Sequence, residues 1–184
     1  YTGRSPLEAL SLGIQMAPDD MVFRCNLVSL SGNPDELGGY EKLTMKDYSA
    51  GEISTLEASK LIEDLAAELS DIDLHFYPGR SYRHCTVWEK GPGETVLTPP
   101  HDITGKEITA YLPTGNGSSR LLELMEKSYE ILKNHPINIA RRNSGKNTAD
   151  SIWLWGQGTR PAIDNFTTLY GKTGAVISAV DLIF

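Results

Sequence analysis

The chain has 184 residues, of which 40% are hydrophobic and 22% charged, and its formal net charge at pH 7 is −7. This length and composition are those of one globular domain with a substantial core. The acidic excess argues against nucleic acid and anionic membranes as partners, since both bind basic protein surfaces. In addition, no apolar run approaches the roughly 20 residues that a membrane-spanning helix needs.

The first predicted elements are a short helix and a strand. Ser5, which precedes a proline, is typical of a helix N-cap. Residues 21–30 show the period-2 alternation of a β-strand, which places Arg24 and Asn26 on one face and apolar side chains on the other. Residues 42–46 predict a short return strand.

The middle of the chain predicts a helix followed by a hairpin. Ser54 and Glu57 form a capping box in front of a segment with one apolar stripe at helical spacing. Segments 71–77 and 81–89 then predict two strands joined by a turn at residues 78–80.

The last part of the chain alternates between strands and helices in the same way. Residues 91–114 are rich in Pro, Gly and Thr and predict a long ordered loop. Ser118 or Ser119 is expected to cap a second amphipathic helix. The remaining predicted elements are a buried strand at 152–155, a short helix at 162–170 and a last strand at 175–183. This order indicates an α/β fold, namely a single layered domain with a mixed β-sheet flanked by amphipathic helices.

Although the chain is acidic overall, the charged residues in its Gly- and Pro-rich junctions are basic. These residues are Arg80, Arg83, His84, His101, Lys106, Arg141, Arg142 and Lys146. A basic cluster within an acidic shell suits a small anion such as phosphate or carboxylate better than it suits a polymer. For any single one of these residues, a scattered surface charge is the alternative.

Strand alternation limits what the segment 81–89 can present to a ligand. Arg83 and His84 are neighbours in sequence, so a regular strand directs them to opposite faces. Either a β-bulge re-aims one of them, or one of the two has a structural role. For His84, a hydrogen-bonded core histidine and a ligand-binding histidine are both open interpretations.

His101 and Asp102 follow two consecutive prolines, which form a stiff turn. Such a pair can take part in acid–base chemistry, bind a metal or stabilise an Asx-type turn. No second cluster of His, Asp or Cys occurs at ligand spacing, so we expect no complete metal site within the chain.

The two cysteines, Cys25 and Cys85, lie in apolar, strand-like segments and lack CxxC spacing. We expect them to be buried and reduced, which is consistent with the cytoplasm. The chain begins without Met and ends in the hydrophobic run 174–184, whereas natural termini are usually polar and frayed. We therefore expect a part of a longer polypeptide rather than a complete enzyme.

Several strings taken together resemble one protein family. They are YTGRSPLEALSLGI, FRCNLVSL, DYSAGEIST, FYPGRSYRHCTVW, TPPHDITGK, GKNTADSIWLWGQG and GAVISAVDLI. In these strings the chain resembles the archaeal-type, 2,3-bisphosphoglycerate-independent phosphoglycerate mutases of the alkaline-phosphatase superfamily. The forms TPPHDITGK and SIWLWGQG are most similar to a bacterial subgroup that has also been labelled as proposed homoserine kinases.

The resemblance implies that residues 1–184 are the inserted, substrate-binding domain of a two-domain enzyme. The other domain is phosphatase-like, holds two divalent metals (Mn, Mg or Zn) and carries a nucleophilic Ser or Thr. That metal-binding domain of the same polypeptide would then be the partner of this chain, which itself would bind no metal and no cofactor. The isolated chain is expected to be inactive.

The resemblance also implies the reaction and the residues that serve it. The parent enzyme would interconvert 3-phosphoglycerate and 2-phosphoglycerate in glycolysis and gluconeogenesis by phosphoryl transfer. The substrate-binding residues it implies are Arg24, Arg80, Arg83, His84 and Lys146, and the proton-handling catalytic pair is His101 and Asp102. Among them, Arg24 and Arg83 are the expected clamps for carboxylate or phosphate.

Two other functions stay open at this point. The same fold could serve phosphoryl transfer onto homoserine in threonine biosynthesis. Alternatively, the chain could be an autonomous anion-binding domain without catalysis.

Overall fold

A computed structural model describes residues 3–162 and 166–173. The strands are β1 Met21–Ser31, β2 Thr44–Asp47, β3 Leu74–Arg80, β4 Arg83–Trp88, β5 Thr95–Val96, β6 Thr114–Gly115 and β7 Ser151–Gly158. The helices are α1 Ser5–Ser11, α2 Pro34–Leu37, α3 Thr55–Leu69, α4 Ser118–Leu132, α5 Pro136–Asn143 and α6 Phe166–Tyr170. The predicted strand at 175–183 lies outside the described residues.

Strand β1 is the centre of the main sheet. It pairs with β4 on one side and with β7 on the other, β3 extends the sheet beyond β4, and β2 pairs with the carboxyl end of β1. The prediction of an α/β domain with helices flanking a sheet is confirmed. The strand pairing differs from the expected mixed sheet, because every pairing between strands in the described ranges is antiparallel.

Alternation along β1 divides the interior between the two faces of the sheet. Phe23, Cys25 and Leu27 belong to the large core, which also includes the apolar stripes of α3 and α4. Val22, which precedes Phe23, belongs to a smaller cluster beneath α1 on the other face. Helix α1 therefore covers the face on which Arg24 and Asn26 also lie.

The helix boundaries follow local capping chemistry only in part. The Ser54 hydroxyl accepts a hydrogen bond from the Glu57 amide at 3.3 Å, which confirms the capping box at the start of α3. Helix α1 is capped by the backbone of Arg4, so Ser5 is its first residue and not its cap. Helix α4 begins after Gly117, without a cap from the serines that were predicted to provide one.

The outward faces of α3 and α4 are acidic. Glu63 and Glu68 are exposed on α3, as Glu123 and Glu130 are on α4. In the part of the chain that the structure describes, no helix is both long and apolar enough to cross a membrane.

Candidate functional site

A cavity of about 430 Å³ opens on the face of the sheet that carries α1. Four arginines, Arg4, Arg24, Arg80 and Arg83, contribute to its walls. The carboxylate of Glu8 is the one acidic side chain among the described residues that line it. The cavity is thus strongly cationic in a chain whose net charge is negative.

Arg24 is the deepest of these arginines, with 7% of its surface exposed. Its guanidinium carbon lies 4.4 Å from the centroid of the Trp155 ring, and its Nε lies 2.9 Å from a carboxylate oxygen of Glu8. Burial lowers the pKa of Arg24, whereas the charge of Glu8 acts in the opposite direction. Glu8 also pairs with Arg4 at 2.8 Å, so one carboxylate steadies two cavity arginines.

Arg80 and Arg83 come from the hairpin formed by β3 and β4. They are directly opposite each other in the register, and a bulge separates them from the preceding pair, Tyr77 and Cys85. Directly paired residues of an antiparallel ladder point to the same face, so both arginines lie on the face that carries the cavity. The turn falls at residues 81–82, and the predicted turn residues 78–80 belong to β3 instead.

His84 lies on the opposite face of β4 from Arg83, paired with Cys25 of the core face. It is 4% exposed, and its Nδ1 accepts a hydrogen bond from the Gly79 amide at 3.0 Å. Burial lowers the pKa of His84 to about 3, so the ring is neutral. The two side chains therefore diverge, as strand alternation predicts.

Aromatic side chains form another part of the cavity wall. The His101 ring packs edge-on against Trp155, with centroids 5.3 Å apart, and against Tyr48 at 6.1 Å. Asn26 joins the two neighbours of His101, because its Oδ1 accepts from Trp155 Nε1 at 3.0 Å and its Nδ2 donates to the Tyr48 carbonyl at 3.1 Å. This wall is therefore held by directional contacts as well as by packing.

The turn that presents Tyr48 is fixed by buried polar groups. The Asp47 carboxylate accepts hydrogen bonds from the amides of Ser49 and Gly51. Arg141, which is 4% exposed, donates to the Ala50 carbonyl at 2.7 Å. A segment late in the sequence thus holds a turn from the first third of the chain beside the cavity.

The structure brings most of the predicted site residues together. Those that line the cavity are Arg24, Arg80, Arg83 and His101, and also His84, although strand alternation directs its side chain to the opposite face from Arg83. Asp102 is outside the lining but adjoins it, since its Oδ1 lies 3.3 Å from His101 Nε2. Lys146 is exposed near Glu57 and does not line the cavity. The substrate contacts assigned to all seven residues stay predictions.

Several cavity residues were not predicted as site residues from the sequence, among them Arg4, Glu8, Tyr48 and Trp155. Arg4 and Glu8 have the i, i+4 spacing of a helical ion pair, which was an available signal. Trp155 was predicted only as part of a buried strand. Strand alternation would have placed Trp153 and Trp155 on the same face of that strand. Tyr48 offered no signal, because its position depends on contacts with residues distant in sequence.

Ser5 ties α1 to the sheet, because its hydroxyl donates to the Gly156 carbonyl at 2.5 Å. Nearby, a Cβ at Gly3 would lie 2.0 Å from the Gln157 carbonyl oxygen, so α1 can approach β7 only with glycine there.

Among the residues in the described ranges, no group of three or more His, Cys, Asp or Glu side chains is arranged to hold a metal ion.

The chain is similar to proteins of one known family. The family model described as 2,3-bisphosphoglycerate-independent phosphoglycerate mutase matches residues 1–138. Over its whole length the chain is 52% identical to the protein of that name from Methanosarcina barkeri and 48% identical to a probable one from Geobacter sulfurreducens. In each case it spans 44% of the relative's length.

Solved structures show the same fold. A cofactor-independent phosphoglycerate mutase from Thermoplasma acidophilum superposes with a TM-score of 0.68 at 22% identity, over 91% of this chain and 44% of that one. A protein from Pyrococcus horikoshii superposes with a TM-score of 0.64 at 23% identity, over 99% of this chain and 39% of that one. The resemblance noted in the sequence is confirmed by the family model and the relatives: the chain belongs to the 2,3-bisphosphoglycerate-independent phosphoglycerate mutase family.

Proposed function

We propose that this chain holds phosphoglycerate in the cavity beneath α1, as the substrate-binding domain of a cofactor-independent phosphoglycerate mutase. The observation that carries the proposal is the convergence of Arg4, Arg24, Arg80 and Arg83 in one cavity of an acidic chain that belongs to this family. Guanidinium groups bind carboxylates and phosphates through paired N–H donors.

The charge of the cavity matches that of the proposed ligand. Four arginines and one glutamate leave an excess of positive charge. A phosphate monoester carries a charge of about −1.5 to −2 at pH 7, and the glycerate carboxylate adds one more negative charge. When a small polyanion leaves water for a protein cavity it loses its hydration, and an excess of positive charge in the cavity compensates for that loss.

The spacing of the arginines suits a three-carbon ligand. Arg24 pairs with Cys85 and Arg83 pairs with Asn26, so the two arginines are diagonal neighbours across β1 and β4. Diagonal neighbours on one face of a sheet lie about 7–8 Å apart at the backbone. One ligand with an anionic group at each end can therefore contact both side chains.

The pair of His101 and Asp102 is proposed to handle protons at the glycerate hydroxyls. His101 is half-exposed at the cavity wall, and its Nε2 lies 3.3 Å from a carboxylate oxygen of Asp102. A phosphoryl transfer between two hydroxyls needs a group that alternately accepts and donates a proton. Its contact with Trp155 keeps the imidazole ring directed along the wall.

The remaining chemistry is proposed to lie outside this chain. The chain spans 44% of the length of its curated relatives, and its described residues provide no metal-binding cluster. We place the divalent metal and the nucleophile of the mutase in the rest of the polypeptide. The role of this chain is then to hold glycerate and exclude water while the phosphoryl group moves.

An assay of the full natural polypeptide tests the proposal. Interconversion of 3-phosphoglycerate and 2-phosphoglycerate is expected, together with a loss of substrate affinity in Arg83→Ala. Phosphorylation of homoserine by ATP, without turnover of 3-phosphoglycerate, would replace the mutase by a kinase. Undiminished binding of 3-phosphoglycerate in both Arg24→Ala and Arg83→Ala would show that this cavity is not the binding site.

A further inference from the structure

We infer that His84 is a positioning residue, whose Nδ1 holds the bulge at Gly79 and thereby sets Arg80 beside Arg83 in the cavity. The inference rests on the proposed function for the identity of the ligand. The positioning itself rests on the register of the hairpin and on one hydrogen bond.

The register shows why the bulge matters. Tyr77 pairs with Cys85, and the next pair is Arg80 with Arg83, so β3 advances three residues while β4 advances two. In a regular ladder Gly79 would pair with Arg83, and Arg80 would point to the core face. The extra residue moves Arg80 onto the face that carries the cavity.

A bulge leaves a backbone amide without its ladder partner, and that amide needs another acceptor. Here the Gly79 N–H donates to His84 Nδ1 at 3.0 Å. Because burial keeps the ring neutral, the Nδ1 lone pair is available as an acceptor. The backbones are also close at this point, since a Cβ at Gly79 would lie 2.2 Å from the Arg83 carbonyl oxygen.

The other ring nitrogen defines the competing role. With Nδ1 as the acceptor, Nε2 carries the proton, and this buried atom has no hydrogen-bond partner within the described ranges. Direct contact of His84 with a ligand would have to use Nε2. The two roles therefore depend on different atoms of one side chain, and variants can separate them.

Three variants in the full natural polypeptide provide the test. His84→Asn places an oxygen at the position of Nδ1, His84→Gln places its amide nearer to Nε2, and His84→Leu provides neither. We expect His84→Leu and His84→Gln to raise the KM for 3-phosphoglycerate about tenfold, the effect of one lost buried hydrogen bond, with kcat little changed. His84→Asn should stay within about twofold of the unmodified protein.

Two further measurements show whether His84 acts through Arg80. In an Arg80→Ala background, His84→Leu should add little to the KM, because the residue that it positions is already absent. His75→Leu serves as a matched control, since His75 is on the same hairpin and does not line the cavity. It should leave the KM unchanged.

Each alternative outcome overturns the inference. Retention of affinity in His84→Gln with loss in His84→Asn would assign the role to Nε2 and to direct ligand contact. Equal KM values in all variants, or a full additional loss in the Arg80→Ala background, would remove the positioning role. If His84→Leu does not fold, the comparison of Asn with Gln still decides.

Amide hydrogen exchange at Gly79 separates this inference from the proposed function. Exchange without ligand should be faster in His84→Leu and His84→Gln than in the unmodified protein or His84→Asn. If the unmodified protein neither binds nor turns over 3-phosphoglycerate, the proposed function fails while this result still stands. Unchanged exchange in all three variants would refute the hydrogen bond itself.

Discussion

The Arg24 guanidinium carbon lies 4.4 Å from the ring centroid of Trp155, while its Nε lies 2.9 Å from Glu8 on the neighbouring helix. The arginine is thus steadied from two sides. A buried cation is costly unless it is paired, and here the partners are already in place. The side-chain geometry that the proposed anion binding requires is therefore already assembled in this structure.

Loss of the Trp155 ring should weaken ligand binding through Arg24. A cation–π contact contributes about 1 kcal/mol, so Trp155→Leu should raise the dissociation constant for 3-phosphoglycerate roughly fivefold. Trp155→Phe keeps an aromatic face but loses the hydrogen bond to Asn26 and should fall in between. Isothermal titration calorimetry measures both values. Equal affinity in Leu and Phe variants would show that the ring face is not what supports Arg24.

Removal of Arg83 should reduce anion binding more than removal of a surface arginine. Charge-assisted hydrogen bonds contribute about 1.5–3 kcal/mol, so Arg83→Ala should weaken 3-phosphoglycerate binding roughly tenfold to a hundredfold. Arg83→Lys keeps the charge without the fork and should be intermediate. The control Arg142→Ala removes an exposed arginine that does not line the cavity. A similar loss in the control would point to net charge instead of a specific contact.

The ion pair between Arg141 and Glu57 should matter for stability. Arg141 Nη1 lies 2.9 Å from Glu57, and its other nitrogens donate to the Asn147 and Ala50 carbonyls. Arg141→Met removes this donor from the Asn147 and Ala50 carbonyls and should lower the free energy of unfolding by about 1–3 kcal/mol.

Urea denaturation measures this free energy, with a neighbouring arginine as the control. Arg142→Met on the exposed side of α5 should change it by less than about 0.5 kcal/mol. An equally small effect of Arg141→Met would mean that the Tyr48 turn is held without Arg141.

Stability should fall in acid through Asp73. The Arg120 guanidinium donates to its carboxylate and holds the pKa of Asp73 at about 2, below its ordinary value of 3.8. A depressed carboxyl pKa contributes stability above the unfolded value, and that contribution is lost as pH falls from about 4 towards 2.

Arg120→Met should therefore flatten the decline of unfolding free energy over this pH range. Denaturant melts at several pH values measure the slope. Lys127→Met removes an exposed ion pair on the same helix, in which Lys127 lowers the pKa of Glu123, and it should change the slope less than Arg120→Met does. An unaltered slope in Arg120→Met would exclude Asp73 as its source.

Sequence alternation was sufficient to place Arg24 and Asn26 on one face, because β1 pairs regularly with β4 over these residues. It was also sufficient to separate Arg83 from His84. It could not place Arg80, since one additional residue in a bulge reverses the face of everything that follows. Gly79 is the sequence feature that fits a bulge, but glycine is also common beside turns in strands that have no bulge. It therefore did not identify the bulge by itself.

The aromatic wall was beyond the reach of local patterns for a different reason. Tyr48 lies in a turn that Arg141 and Asn147 hold from the far end of the sequence. No local window contains both partners. The basic junctions indicated Arg80 and Arg83, and the family resemblance added Arg24. Arg4, Glu8 and Trp155 joined the site only in the folded structure, where strands and helix surround one cavity.

The acidic outer faces of α3 and α4 give the domain a field that changes sign with distance. A small anion far from the protein encounters the net charge of −7, but at the cavity mouth it encounters four arginines. Charges are screened beyond about 8 Å at physiological ionic strength, so salt weakens the remote repulsion more than the attraction inside. Added salt should then raise the association rate of an anion while it weakens the contacts between the bound anion and the arginines.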